Sequence, residues 1–280
     1  MDFKKFSNLI MIEQTLFALP FAYLGVLFAD GKNISTWILV TIALVAARTA
    51  GMSFNRVIDA EIDAKNPRTK DRLIPRGVAK KSEVWIIGII SSLALIISSY
   101  MLNNLCFYLS FVAVFLLISY SFFKRFSSSS HFYLGFVESA APIGGYLAVT
   151  GKFSAVPFVL GGAILLWIAG LDIIYALLDV EFDKKEGLYS FPSAYGEKKA
   201  LAASGICYVL SFGTMIGAGI ITGKSLPYWA ALACVAFIFI YQQKIARNKD
   251  IGVALRKFFR ANMYVSPFLL IGTLIDVFLI

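Results

Sequence analysis

A chain of 280 residues that is 59% apolar and only 15% charged, with a mean hydropathy of +0.75, carries too little polar surface for an ordinary soluble domain. The formal charge of +9 calls for no nucleic-acid partner, because a basic rim beside anionic lipid accounts for it. Cys106, Cys207 and Cys234 fall in separate apolar runs without paired spacing and read as packing residues.

Nine apolar runs follow along the chain, each long enough for a helix rising about 1.5 Å per residue to cross roughly 30 Å of hydrocarbon. They span 9–29, 35–58, 84–102, 105–123, 132–150, 153–182, 200–222, 226–243 and 262–280. The first follows Lys4 and Lys5 as a signal peptide would, but its length, its Glu13 and Gln14 and the lack of a small-residue cleavage site predict a retained helix. The expected fold is therefore an all-α polytopic membrane protein, one domain over residues 1–280. Placing the N-terminus on the cytoplasmic side leaves only Lys32, Lys152 and Lys224 on the opposite face and Arg48 within the second run. Every other Lys and Arg then lies inside, as the positive-inside rule requires.

Polar residues gather where the second and sixth runs end. The second run closes on Asn55, Arg56, Asp59, Glu61 and Asp63, and the sixth on Asp172, Tyr175, Asp179, Glu181 and Asp183. Asp59 and Asp179 are 120 positions apart, as are Asp63 and Asp183, which predicts two related four-helix units with a ninth helix added. Residues four or seven apart share a helix face. Asn55, Asp59 and Asp63 thus form one stripe, and Asp172, Asp179 and Asp183 another. Like charges on one face repel, so each stripe needs a compensating cation. Hard oxygen donors suit magnesium, which takes one or two carboxylates and completes its shell with water and phosphate. Two facing stripes would hold a diphosphate between metal ions; otherwise the acids solvate the helix ends and pair with nearby Lys or Arg.

The stretch N-R-V-I-D-A-E-I-D-A-K-N-P-R-T, residues 55–69, is similar to the first motif of the UbiA superfamily of intramembrane prenyltransferases, and D-I-I-Y-A-L-L-D-V-E-F-D, residues 172–183, to the second. A-A-R-T-A-G-M-S-F-N-R and the A-P-I-G-G-Y-L-A-V-T-G of residues 141–151 resemble the branch assigned to menaquinone synthesis through futalosine. The resemblance implies a magnesium cofactor and a polyprenyl diphosphate donor. It implies an aromatic acid acceptor, 4-hydroxybenzoate or 1,4-dihydroxy-6-naphthoate, in ubiquinone or menaquinone biosynthesis. It also implies that Asn55, Asp59, Asp63, Asp179 and Asp183 hold the metal, that Arg68 and Arg72 contact the diphosphate, and that Tyr120 and Lys124 form a phosphate-binding Tyr–Lys motif.

Individual residues carry further expectations. Arg48 is costly within a membrane and lies on the Asn55 stripe. It serves either the acceptor's carboxylate, as the resemblance implies, or a salt bridge to Glu13, Glu138 or Asp276. An allylic cation needs a dry cavity with π faces, for which Tyr120 and Tyr175 stand on the motif stripes. Asp172, deepest of the second stripe, is a candidate to remove the ring proton. His131, the chain's one histidine, is expected in a loop or interface role as much as in catalysis. The rival readings are a related prenyltransferase acting on a haem, chlorophyll or lipid precursor, and a secondary transporter. Acids clustered at one face rather than at the midplane favour the enzyme.

Overall fold

The computed structural model describes residues 3–247 and 251–280, and the side chains of residues 3–5, 13–14 and 251–256 stand outside that description. Every regular element among the described residues is helical, as the composition requires. Eight helices are long and apolar enough to cross a membrane, from Ile34–Ile58 to Lys257–Phe278. The first of the nine expected spans falls on a shorter helix, Ile12–Phe28, of 17 residues. Its reason is local: Met11 adopts a φ of 50°, where a side chain is disfavoured, and this separates α1 (Phe3–Ile10) from α2 (Ile12–Phe28).

The chain forms two compact units. The first holds α1, the Ile12–Leu19 part of α2, α3 (Ile34–Ile58), α4 (Ala60–Lys65), α5 (Lys81–Leu102) and α6 (Asn104–Phe123) up to Phe122. Asn33 starts α3 by accepting from the Ser35 backbone N–H at 3.0 Å. Phe54 of α3, 2% exposed, fills the space beside Gly88 and lies 5.2 Å from the Trp85 ring, which locks α3 to α5. Ile86, Ile89, Ile90, Leu93 and Ile97 line another face of α5 and are all more than half exposed. Such a stripe needs lipid as its solvent.

The second unit holds the Pro20–Phe28 part of α2, then α7 (Ser130–Thr150), α8 (Ala155–Tyr175), a 3-10 turn (Ala176–Asp179) and α9 (Val180–Glu186). It continues with α10 (Phe191–Tyr195), α11 (Glu197–Ile221), α12 (Leu226–Ala246), α13 (Ile251–Asn262) and α14 (Val265–Phe278). Small residues bring these helices close, the packing mode of helices in lipid. Buried Ser204 and Ser211 of α11 donate to the carbonyls of Gly170 and Ala163 on α8, at 2.8 and 2.7 Å. At the other end of the unit, Lys224 pairs with Asp276 at 3.3 Å and the Ser225 N–H donates to the same carboxylate at 2.6 Å.

α2 meets α7 at Gly145, where an added Cβ would stand 2.0 Å from the Ala22 carbonyl oxygen. Beside Gly144 nothing lies within 4 Å. Gly145→Ala should therefore cost about 1–3 kcal/mol through overpacking, whereas Gly144→Ala should be neutral. Thermal melts of the two purified variants read this directly, and equal melting temperatures would refute the close contact.

Candidate active site

The first acidic motif sits where α3 ends. Asp59 breaks the helix with φ −92° and ψ 2°, yet its N–H still reaches the Asn55 carbonyl at 2.9 Å and its carbonyl accepts the Asp63 N–H at 2.8 Å. The three side chains thus keep the one-face arrangement expected of them. Asp59 and Asp63 are 1% and 4% exposed. Carboxylates so far from water need donors. Asn55 Nδ2 gives one hydrogen to Asp59 at 2.8 Å and the other to Ser121 at 3.1 Å. With both amide hydrogens committed, the Asn55 carbonyl oxygen is the atom left to act as a ligand. Ser121 escaped sequence reasoning, although it adjoins Tyr120.

Asp63 is met differently. Arg72 Nη1 donates to both of its oxygens at 2.7 Å. Arg72, which the resemblance assigns to the diphosphate, pairs with this acid in the structure. The connection between them is built on the same residues: the Thr69 hydroxyl donates to the Asp63 carbonyl at 3.1 Å, and Asn66 Oδ1 accepts the Arg68 N–H at 2.9 Å. Arg68 itself is exposed. Half-buried Tyr120 donates to the Gly51 carbonyl at 3.3 Å and lies within Coulombic range of Arg48, Asp59 and Arg56. Arg56, 6% exposed, is a buried cation of the motif that sequence reasoning passed over. Arg48 is half-buried in α3. Of the acids that offered it a structural partner, Asp276 is committed to Lys224 and Ser225, the Glu13 side chain stands outside the description, and Glu138 is half-buried in α7.

The second motif differs from expectation. Asp172, Asp179 and Asp183 do not share one continuous helix, because α8 stops at Tyr175 and the tighter 3-10 turn resets the register before α9. Asp179 bears electrostatically on Asp183, whose carboxylate is hydrogen-bonded to the Ser190 side chain and also feels Lys124. Asp172 is engaged by His131 Nδ1 at 2.6 Å. His131 is thus no loop residue: it lies in the first turn of α7 and is 4% exposed. Tyr175 packs edge-on against Phe259 of α13, with ring centroids 5.1 Å apart. Lys124 follows the end of α6, and its carbonyl accepts the Tyr189 N–H at 2.7 Å.

The donors of the first motif are two carboxylates and an amide oxygen, which fit a hard, oxygen-preferring cation such as magnesium. Among the described residues no three His, Cys, Asp or Glu side chains gather into a ligand cluster, and magnesium needs none. The structure is thus that of a polytopic all-helical membrane protein whose acids crowd the ends of two helices. The chain matches the UbiA prenyltransferase family over residues 18–264 and belongs to it. The 4-hydroxybenzoate octaprenyltransferase of Xanthomonas campestris pv. campestris is 31% identical over 230 residues, 81% of this chain and 75% of the relative. The apo structure of a UbiA homolog from Aeropyrum pernix is 30% identical, with a TM-score of 0.88 over 95% of this chain and 98% of that one. A UbiA homolog from Archaeoglobus fulgidus, solved bound to DMAPP and Mg2+, shares the fold at 15% identity, with a TM-score of 0.74 over 99% of this chain and 100% of that one. The protein is a multi-span membrane prenyltransferase, which sets the transporter reading aside.

Arg72→Ala would leave Asp63 buried without its main donor. A loss of about 1.5–3 kcal/mol is expected for a hydrogen bond to a charged group. Faster proteolysis between Asn66 and Lys80 should accompany it, since Arg72 pins that segment. An unchanged melting temperature and cleavage pattern would show that the pair does not hold the loop.

Proposed function

We propose that this prenyltransferase moves a polyprenyl chain from its diphosphate to an aromatic acid of the 4-hydroxybenzoate or 1,4-dihydroxy-6-naphthoate type, in ubiquinone or menaquinone biosynthesis, with magnesium as its resident cation. The observation that carries this reading is the buried oxygen set of Asn55, Asp59 and Asp63, built into a chain of this family. The names of the Xanthomonas relative and the Archaeoglobus complex support its acceptor and its metal. A single domain over residues 1–280 built by internal duplication is supported by the matching backbone of Asp59 and Asp179, described by φ −92°, ψ 2° and φ −110°, ψ 6°. The N-terminus and both motifs face the cytoplasm of a bacterial cell membrane, a placement the distribution of Lys and Arg supports.

Asn55, Asp59 and Asp63 of the first motif and Asp179 and Asp183 of the second would hold magnesium. Bound magnesium supplies positive charge to the departing diphosphate. Arg68, Arg72 and Lys124 add fixed cations for the same phosphates. Tyr120 and Tyr175 offer π faces to the delocalised allylic cation, and the apolar surroundings exclude the water that would quench it. Arg48 holds the acceptor carboxylate, the electron-rich ring bonds to the terminal allylic carbon, and Asp172 takes the ring proton.

Asp59→Ala, Asp63→Ala, Asp179→Ala and Asp183→Ala should each lower turnover by about 100- to 1,000-fold, as loss of an electrostatic contact to a transition state does. Mass spectrometry of products from one polyprenyl diphosphate and both acceptors is the assay, and wild-type turnover in any two variants would sink the metal assignment. Arg48→Ala should raise the acceptor KM by roughly 10- to 150-fold, the loss of a charge-assisted hydrogen bond, and leave the donor KM nearly unchanged. An acceptor analogue without the carboxylate should show no such penalty; equal penalties for both acceptors would refute the role of Arg48.

A further inference from the structure

His131 is bonded on both ring nitrogens, and the two bonds together fix its chemistry. The Phe191 backbone N–H donates to Nε2 at 3.0 Å, so Nε2 carries a lone pair and no proton. The ring proton of the neutral imidazole must then sit on Nδ1, where it is donated to Asp172 Oδ2 at 2.6 Å. A backbone amide thus selects the tautomer that aims a donor at a carboxylate.

The same amide belongs to a short strap. Gly187, with φ 68°, ends α9 in the left-handed conformation, and the Leu188 N–H returns to the Asp183 carbonyl at 2.8 Å. Tyr189 N–H goes to Lys124, Ser190 caps α10 through the Ser193 N–H and touches Asp183, and Phe191 N–H goes to His131. Successive residues of the strap therefore bind the end of α6, the second motif and the start of α7.

We propose that His131 is the positioning residue of the second motif: Nδ1–H fixes the Asp172 carboxylate, while Nε2 couples that carboxylate to the Leu188–Phe191 strap. The proposal rests on the reading of Asp172 as the acceptor of the ring proton. With Oδ2 held by His131, the other oxygen of Asp172 is the one presented to substrate.

Two substitutions separate the halves of the bridge. Asn places its amide near the Nδ1 position and can still donate to Asp172, whereas Gln reaches the Nε2 position and can still accept from Phe191. His131→Ala and His131→Gln should lower kcat on the order of 10- to 100-fold with both KM values little changed, the size of effect of an orienting partner. His131→Asn should recover most of that loss. Rates are compared at matched folded protein, judged by monodispersity in detergent, so that the Asn and Gln variants serve if His131→Ala fails to fold. Placed in an Asp172→Asn background, His131→Gln should cost nothing further, because the residue acts only through that carboxylate. Equal rates for His131→Asn and His131→Gln, or losses that multiply with Asp172→Asn, would overturn the positioning role. Wild-type turnover in Asp172→Asn would instead overturn the reading of Asp172 and the role of His131 with it, whereas a slow Asp172→Asn beside a fast His131→Gln would remove His131 alone.

Discussion

A carboxylate taken out of water must be met by hydrogen-bond donors or by a cation, or it will not stay charged there. Much of the polar architecture of this protein follows from that constraint. Asp59 is met by the Asn55 amide, Asp63 by Arg72, Asp172 by His131, and Asp276 by Lys224 with the Ser225 N–H and hydroxyl. In each case the donor comes from a different kind of neighbour: one turn of the same helix, the loop that follows, another helix, or a turn between helices. The acids therefore organise local structure as well as chemistry, because each donor has to be held where the acid needs it.

Lipid imposes the complementary constraint. Backbone groups in hydrocarbon must be satisfied within the helix, so the long elements are helices, and irregular backbone collects at their ends. Asp59 and Asp179 mark two such ends, each followed by a short helix bearing a Glu and a second Asp. Between the helices the driving force is contact rather than exclusion of water. Buried Ser204 and Ser211 give their hydroxyls to carbonyls of α8, and Gly145 lets α7 approach the backbone of α2.

The helices were legible because their signal is additive: twenty apolar residues speak together, and one substitution scarcely alters the pattern. The first motif was legible for a related reason, since the backbone bonds across Asp59 preserve the spacing that puts Asn55, Asp59 and Asp63 together. The break in the second motif was not legible. A 3-10 turn in place of an α turn leaves no compositional trace in A-L-L-D, which is as helical in propensity as its neighbours. The break before α2 was hidden likewise, because a positive φ at Met11 is a property of its setting and not of methionine. His131 illustrates the deeper limit. Its partners are 41 and 60 positions away in sequence, and no local pattern announces a contact of that range.

Asp59 and Asp179 occupy the residue before a helix, a place where aspartate ordinarily accepts an N–H from the helix it precedes. Neither side chain makes that bond. For Asp59 the carboxylate turns instead toward Asn55, so an acid that would stabilise α4 by capping it is directed to the neighbouring turn. Forgoing a cap costs about 1 kcal/mol, and burying the charge costs more. A fold gains nothing from that arrangement as structure alone, since an apolar residue of like volume would pack as well without the desolvation cost. Asp59 is thus a buried oxygen donor held back from the helix it precedes, which is what the cation-binding role proposed for it requires.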